Sequence, residues 1–356
     1  MRIHLTNITG TGATELVRSL LPAIESLPDL PISCIDIPAT GPLSTYRSAN
    51  LGTMVAVYRR QLPNALSRIF ECTIFAKKFW DSDFLLVLGD LPLRVKCSQT
   101  VFVQNSHLIR PKRILLNLRY LKYAISRALF SLNMSYCKAF VVQTELMKLG
   151  LERSYPDIKG RVHIVAQPVP TWLLQSGLTR ISRLKSDQSD LKLIYPSAGY
   201  PHKNHTLLSK LNTNDEWPVG ELQITLEENY NPAPHLPWLR CVGFLSSQGM
   251  IQAYSEVDAL LFLSKEESYG FPLVEAMFVG LPVVCPDLPY ARTLCGDQAF
   301  YFDPNSPLSL QNALKGLKLK LDDGWWPCWS KQMESIPKDW ESVARCIRSI
   351  ASRPCV

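Results

Sequence analysis

The sequence predicts an α/β protein of two domains, each a doubly wound parallel sheet, and three observations carry that prediction. The chain has 356 residues, more than one typical core accommodates, and two domains of about 150–180 residues each could bury a sound one. Short apolar runs of strand length alternate with helix-like segments in both halves, the pattern of βαβ units. The stretch from Asp258 to Cys285 reads strand, loop, helix, strand. With 46% hydrophobic and 19% charged residues, the composition is that of a globular chain and excludes a disordered one.

Taken in order, Arg2 to Thr6 reads as a strand, Thr9 to Glu15 as a turn carrying Gly10 and Gly12, and the following residues as a helix to about Leu27. A glycine turn between strand and helix can bring backbone N–H groups to a phosphate, or be an ordinary βα turn. Phe84 onward is a buried strand. Asp81-Ser-Asp83 before it has the look of a metal-binding DxD, but those acids precede the strand, away from the ligand edge of an α/β sheet, and we reject that reading. Thr100 to Gln104 is the next strand, leading to His107 at its carboxyl end, where an imidazole can meet a hydroxyl or steady the loop. Ala139 onward gives a strand and helix, and Val162 to Pro170 closes the half.

This gives a first domain over 1–175, a linker over 176–190, a second domain over 191–335 and a final helix within 336–356. The second domain opens with a strand at Leu191 whose loop carries Ser197 and Lys203, followed by strands near Leu222 to Thr225 and Arg240 to Gly243. Lysine is a point charge suited to phosphate, and here it stands at a strand's carboxyl end. Ala259 to Leu263 is a run for a sheet buried on both faces, and Lys265 to Gly270 is a polar loop. Pro272 suits the first turn of a helix and Gly280 the position past its last turn, so this helix is about two turns long. Its unpaired N–H groups suit a phosphate, and Glu267 and Glu275 could reach hydroxyls of one ligand from two sides; a nucleotide sugar has both chemistries.

Charge is concentrated. The chain carries +7 overall, yet Leu91 to Thr144 holds nine basic residues and no acid. Within it the segment from Arg110 to Phe130 has apolar residues at helical spacing (Ile114, Leu115, Leu118, Leu121, Ala124, Ile125, Ala128) and reads as an amphipathic basic helix. Arg110, Lys112, Arg113, Arg119 and Lys122 form a basic patch suited to an anionic membrane surface or to an acceptor; no nucleic-acid recognition motif accompanies it, and we expect no nucleic-acid partner. The ten cysteines show no CxxC or metal-ligand spacing and read as reduced core residues. The opening residues lack a signal-peptide pattern, so the expected location is the cytoplasm, peripherally at the inner face of the membrane.

The run Glu267-Ser-Tyr-Gly-Phe-Pro-Leu-Val-Glu275 resembles the signature of the retaining glycosyltransferases of the GT-B fold, family 4, the glycosyl transferases group 1. That resemblance implies two Rossmann-like domains facing across a cleft, with the last helix crossing back to the first. It implies a nucleotide-diphosphate sugar as donor, a glycan or lipid-linked acceptor as in surface-polysaccharide assembly, and no metal or other cofactor. By the same resemblance Glu267 approaches the donor sugar's hydroxyls, the backbone of Gly270, Phe271, Pro272 and Leu273 cradles the sugar and diphosphate, and Glu275 binds the ribose. Lys203 stabilises the leaving diphosphate, with Ser197 nearby. Gly10 and Gly12 face the diphosphate, and His107 meets the sugar or acceptor. The chain departs from the pattern at Ala198, where many members have Arg, and at Leu108, where Asp commonly follows the His. A GT-B epimerase and a sugar-nucleotide-binding module are the competing expectations.

Overall fold

The computed structural model describes residues 1–8, 10–28, 31–60, 62, 64–111, 118–183, 190–211 and 217–352. Its contacts divide the chain into two units, Met1–Pro168 with Pro337–Val356, and Val169–Ile336.

The first unit is a seven-stranded, wholly parallel sheet: β1 (Arg2–His4), β2 (Cys34–Pro38), β3 (Met54–Tyr58), β4 (Phe84–Val87), β5 (Ser98–Phe102), β6 (Ala139–Val142) and β7 (Val162–Ile164), in the order β3-β2-β1-β4-β5-β6-β7. Its helices are α1 (Thr11–Glu25), α2 (Asn64–Cys72), α3 (Leu118–Asn133) and α4 (Glu145–Ser154). Helix α1 buries Leu16, Val17, Leu20, Leu21 and Ile24, one apolar stripe at helical spacing. The final helix, Trp340–Ser352, buries Val343, Ala344, Ile347 and Ile350 and packs beside α1.

Sequence and structure differ at two places here. Strand β1 ends at His4, because Thr6 and Asn7 turn out of the ladder and bond side chains from α2 and from beyond β3. Helix α3 leaves Ala124 and Ala128 exposed and buries Leu129 and Phe130 instead. Phe130 packs on Phe140 and Tyr155, at ring centroids 5.2 and 4.6 Å away, so aromatic area outweighs the small alanines in choosing the face. Asp81 is ion-paired to Arg2 at 2.5 Å, and Arg2 also holds Asp36 at 2.7 Å. Among the described residues no helix is long and apolar enough to cross a membrane.

The second unit is a six-stranded parallel sheet of β8 (Leu191–Tyr195), β9 (Val219–Ile224), β10 (Leu239–Cys241), β11 (Ala259–Leu261), β12 (Val283–Pro286) and β13 (Phe300–Phe302), in the order β10-β9-β8-β11-β12-β13. Its helices are α5 (Thr171–Leu174), α6 (Ser247–Glu256), α7 (Phe271–Val279), α8 (Pro289–Cys295), α9 (Pro307–Asp322) and α10 (Ser330–Met333). The segment read as a linker carries Arg180, 7% exposed and bonded to the last carbonyls of α6, Tyr254 and Ser255, and to that of Val257. Arginine satisfies C-terminal helix carbonyls well, and this draws the segment onto the second unit.

The order of the second sheet has a chemical consequence. The chain leaves β8 toward β9 and β10, then returns to the other side of β8 as β11, so the loops after β8 and β11 diverge at a topological switch point, where open α/β sheets bind ligands.

Candidate functional site

Lys203 follows β8 and Glu267 follows β11, and the switch point brings them together: Lys203 Nζ donates to Glu267 Oε1 at 2.5 Å, with the side chains 15% and 13% exposed. The loops are also stitched by Lys265 N–H donating to His202 O at 2.7 Å. Lys203 is fixed further by its own carbonyl, which accepts from Tyr195 OH at 2.7 Å, and its ammonium lies 5.7 Å from the Phe262 ring. Burial, followed by the Glu267 carboxylate, raises the Tyr195 phenol well above its ordinary pKa, so it stays a neutral donor.

Helix α7 begins at Gly270, whose φ of 93° is the left-handed region that favours glycine, with Pro272 in the first turn. It ends at Gly280, φ 91°, where Gly280 N–H donates to Met277 O at 3.2 Å and Leu281 N–H to Ala276 O at 2.8 Å, the paired closure of a left-handed glycine stop. Phe271, Pro272 and Leu273 form the first turn; Pro272 has no N–H and the Leu273 N–H bonds Gly270 O at 2.9 Å, so Phe271 keeps the N–H that this turn can offer to a ligand. Glu275 is the fifth residue of α7 and 8% exposed; Tyr254 OH from α6 donates to its Oε2 at 2.6 Å. Burial and the Glu275 charge push the Tyr254 phenol well up, so this bond is that of a neutral hydroxyl to a carboxylate.

Ser197 is buried in the loop after β8. Its N–H donates to Thr225 Oγ1 at 2.8 Å, and its Oγ lies 2.7 Å from His205 Nε2. Burial first, then the charges of Lys203 and His202, hold the His205 pKa down to about 4, against about 6.5 for an unperturbed imidazole. Between those values the unfolded chain binds a proton that the folded one does not. Stability should therefore be whole above about pH 6.5 and fall by up to about 3 kcal/mol as pH drops to about 4. Denaturant titrations at pH 7 and 4.5 check this: His205→Gln should show a flatter pH dependence, and an unchanged slope would refute the assignment.

The first unit holds the remaining sequence-derived residues. Gly10 (φ −80°) precedes α1 and Gly12 lies in its first turn; among the described residues, adjoining backbone aside, no atom comes within 4 Å of where a Cβ would stand at either, so packing does not demand glycine there. His107 stands in a turn after β5, its N–H bonded to Asn105 Oδ1 and its carbonyl to Arg127, with its ring 4.0 Å from that of Tyr123. Helix α3 thus holds the imidazole on the loop. Of the basic patch, Arg110 is exposed, with its guanidinium 5.1 Å from the Tyr155 ring. Arg119 and Lys122 stand in α3, and Lys112 and Arg113 lie outside the described residues. Sequence reasoning did not single out Tyr195, Phe262 or Tyr254. The serine cap at Ser246, which accepts from Gly249 N–H, would have announced α6 and brought Tyr254 into view.

This arrangement pairs a cation and a carboxylate at a sheet's ligand edge, beside a helix N-terminus whose first turns carry a second carboxylate. It can hold a diphosphate between Lys203 and α7 while carboxylates take hydroxyls.

Stretches of the chain are similar to known proteins. A 136-residue stretch is 29% identical to the serotype-specific mannosyltransferase WbdA of Escherichia coli, covering 36% of this chain and 16% of that protein. A 65-residue stretch is 34% identical to the O-antigen chain mannosyltransferase RfbU of Salmonella typhimurium, 18% of each chain. The chain thus matches less than a fifth of the length of either relative. Among solved structures, WaaG, a glycosyltransferase involved in lipopolysaccharide biosynthesis, aligns over 99% of this chain and 100% of its own, with a TM-score of 0.67 at 14% identity. Sucrose-phosphate synthase from Thermosynechococcus elongatus aligns over 98% of both, with a TM-score of 0.64 at 12% identity. The fold is therefore GT-B. Over residues 219–318, which include both Glu267 and Glu275, the chain matches the model of the family described as glycosyl transferases group 1.

Proposed function

We propose that the protein is a retaining glycosyltransferase that moves a sugar from a nucleotide-diphosphate sugar to a hydroxyl of a glycan or lipid-linked acceptor in surface-polysaccharide assembly. The observation that carries this reading is the Lys203–Glu267 pair at the switch point of β8 and β11, beside α7 and its buried Glu275. In the reaction the anomeric C–O bond to the diphosphate breaks and a bond from the acceptor oxygen to that carbon forms on the same face. The acceptor's proton passes to the departing phosphate oxygen. Lys203 and the N-terminus of α7 stabilise the charge growing on the diphosphate, Glu267 holds the sugar's hydroxyls, and Glu275 takes the ribose. The two curated relatives named above are mannosyltransferases, so a mannosyl donor leads the candidates.

Thermal unfolding with UDP, GDP, ADP and their sugars tests the donor site. A nucleotide at 100 times its dissociation constant should add about 2.7 kcal/mol to the native protein and much less to Glu275→Gln, which keeps the shape of the side chain. If no nucleotide stabilises the native protein, the transferase reading fails. Turnover of the donor sugar with no acceptor modified would make the chain an epimerase instead.

A further inference from the structure

A second cluster of charge lies in the first unit. The first sheet has its own switch point between β1 and β4, from which the chain departs in opposite directions. Asn7, beyond β1, packs against Gly89, beyond β4: a Cβ on Gly89 would stand 2.7 Å from that of Asn7. Two arginines from elsewhere converge on this point. Arg60, beyond β3, donates to Asn7 Oδ1 at 2.6 Å and to Thr6 O at 2.9 Å. Arg68 of α2 donates to the same Oδ1 at 3.1 Å and to Asn7 O at 3.1 Å.

Of the acids nearby, Glu71 serves Arg60 and neighbouring groups, and Asp90 is committed to backbone. Glu71, wholly buried, accepts from Thr6 and lies 3.1 Å from His4 Nε2 and 3.5 Å from Arg60 Nε. Asp90 turns its Oδ1 to the N–H groups of Gln104 and Asn105, at 2.6 and 3.1 Å. Among the described residues Arg68 has no carboxylate within ion-pair distance. Burial and the neighbouring charge of Arg60 hold its guanidinium below the usual arginine range. Of its five N–H donors, the two described bonds leave three for another acceptor. Asn7 is 6% exposed, and its Nδ2 is enclosed without a partner. A half-enclosed cation without a counter-ion is costly, and an acceptor oxygen on the remaining Arg68 donors would offset that cost.

We infer that Arg68 and Arg60, both anchored on Asn7, form a binding site for one oxyanion, a phosphate or carboxylate, carried by a ligand of the first unit other than the donor nucleotide. Arginine suits such a group because its planar fork matches phosphate and carboxylate oxygens. An acceptor bearing a sugar phosphate or a uronic acid has this chemistry. The inference concerns binding alone and does not depend on the proposed reaction.

Calorimetry and the Arg Nε–Hε resonances of the full chain, titrated with glucose 6-phosphate, glucuronate, glucose and UDP, test it. At least one anionic sugar should bind tenfold or more tighter than glucose and shift the Arg68 resonance. The better of the two identifies the group as phosphate or carboxylate. Arg68→Gln should abolish the preference, Arg68→Lys should reduce it severalfold, and Lys203→Ala should keep it. Equal binding of glucose would overturn the inference. So would a preference that survives in folded Arg68→Gln or is undiminished in Arg68→Lys, one lost in Lys203→Ala, or a UDP-induced shift of Arg68, which would assign the cluster to the donor. If Arg68→Gln does not fold, Arg68→Lys decides.

Discussion

Replacing Lys203 by Ala is expected to lower kcat by about 10²–10³-fold with the donor identified by nucleotide binding, the loss typical of removing one group that stabilises developing negative charge. The same change should lower stability by about 2 kcal/mol. Removing one partner of a fully buried ion pair costs about 3–5 kcal/mol, and the pair here is not fully enclosed, with side chains 15% and 13% exposed. Glu267→Ala should also lower stability, because it strands the ammonium over Phe262 at the same switch point. The double variant should be destabilised by less than the sum of the two, since each single change leaves a lone charge that the double change removes. In the proposed reaction the two side chains act on different parts of the donor, so both single losses should be large. Steady-state kinetics and denaturant titrations on the three variants check this. Full kcat in Lys203→Ala would remove the lysine from the mechanism, and strictly additive stability losses would show the ion pair to be energetically idle.

The second unit's site was readable because its parts are close in sequence and each carries a local signal. Pro272 and Gly280 mark the start and stop of α7 and act as read, and Gly270 closes the loop before it in left-handed backbone. Ala259 to Leu263 is wholly buried, as an uninterrupted apolar run should be. That Lys203 meets Glu267 was not readable, because contact across 64 residues depends on β11 returning beside β8. The first unit was harder for the same reason, more strongly. Strand β3 is an edge strand with half-exposed side chains and no alternation to announce it, and it went unread, as did β2 beside it. The polar network of His4, Thr6, Asn7, Arg60, Arg68 and Glu71 joins residues up to 67 apart, and each looks like an isolated polar side chain in sequence. Hydrophobic period predicts which face is buried; it does not predict which polar groups share that burial.

Gly280→Ala should be among the most damaging single substitutions in the second unit. Alanine in the left-handed region costs about 1–2 kcal/mol by itself. Here the new Cβ would also stand 2.3 Å from Arg180 O, a separation that real Cβ atoms do not adopt, so something must move. The carbonyl is not free to do so. Arg180 N–H is bonded to Val279 O at 2.7 Å, its carbonyl accepts from Trp326 Nε1 at 3.2 Å, and its guanidinium holds three carbonyls at the end of α6. We expect a loss of about 3–4 kcal/mol, a large part of the 5–15 kcal/mol that holds a typical domain together. Gly324→Ala isolates the conformational part, because Gly324 has φ 80° but open space where a Cβ would stand, and it should cost only about 1 kcal/mol. The difference between the two, measured by denaturant unfolding, reports the rigidity of Arg180. Since α6 also carries Tyr254, the partner of Glu275, Gly280→Ala protein that remains folded should bind nucleotide more weakly, whereas Gly324→Ala should bind it normally. Equal losses of about 1 kcal/mol in both variants would mean that the Arg180 segment gives way freely, and that the donor side does not rely on it for support.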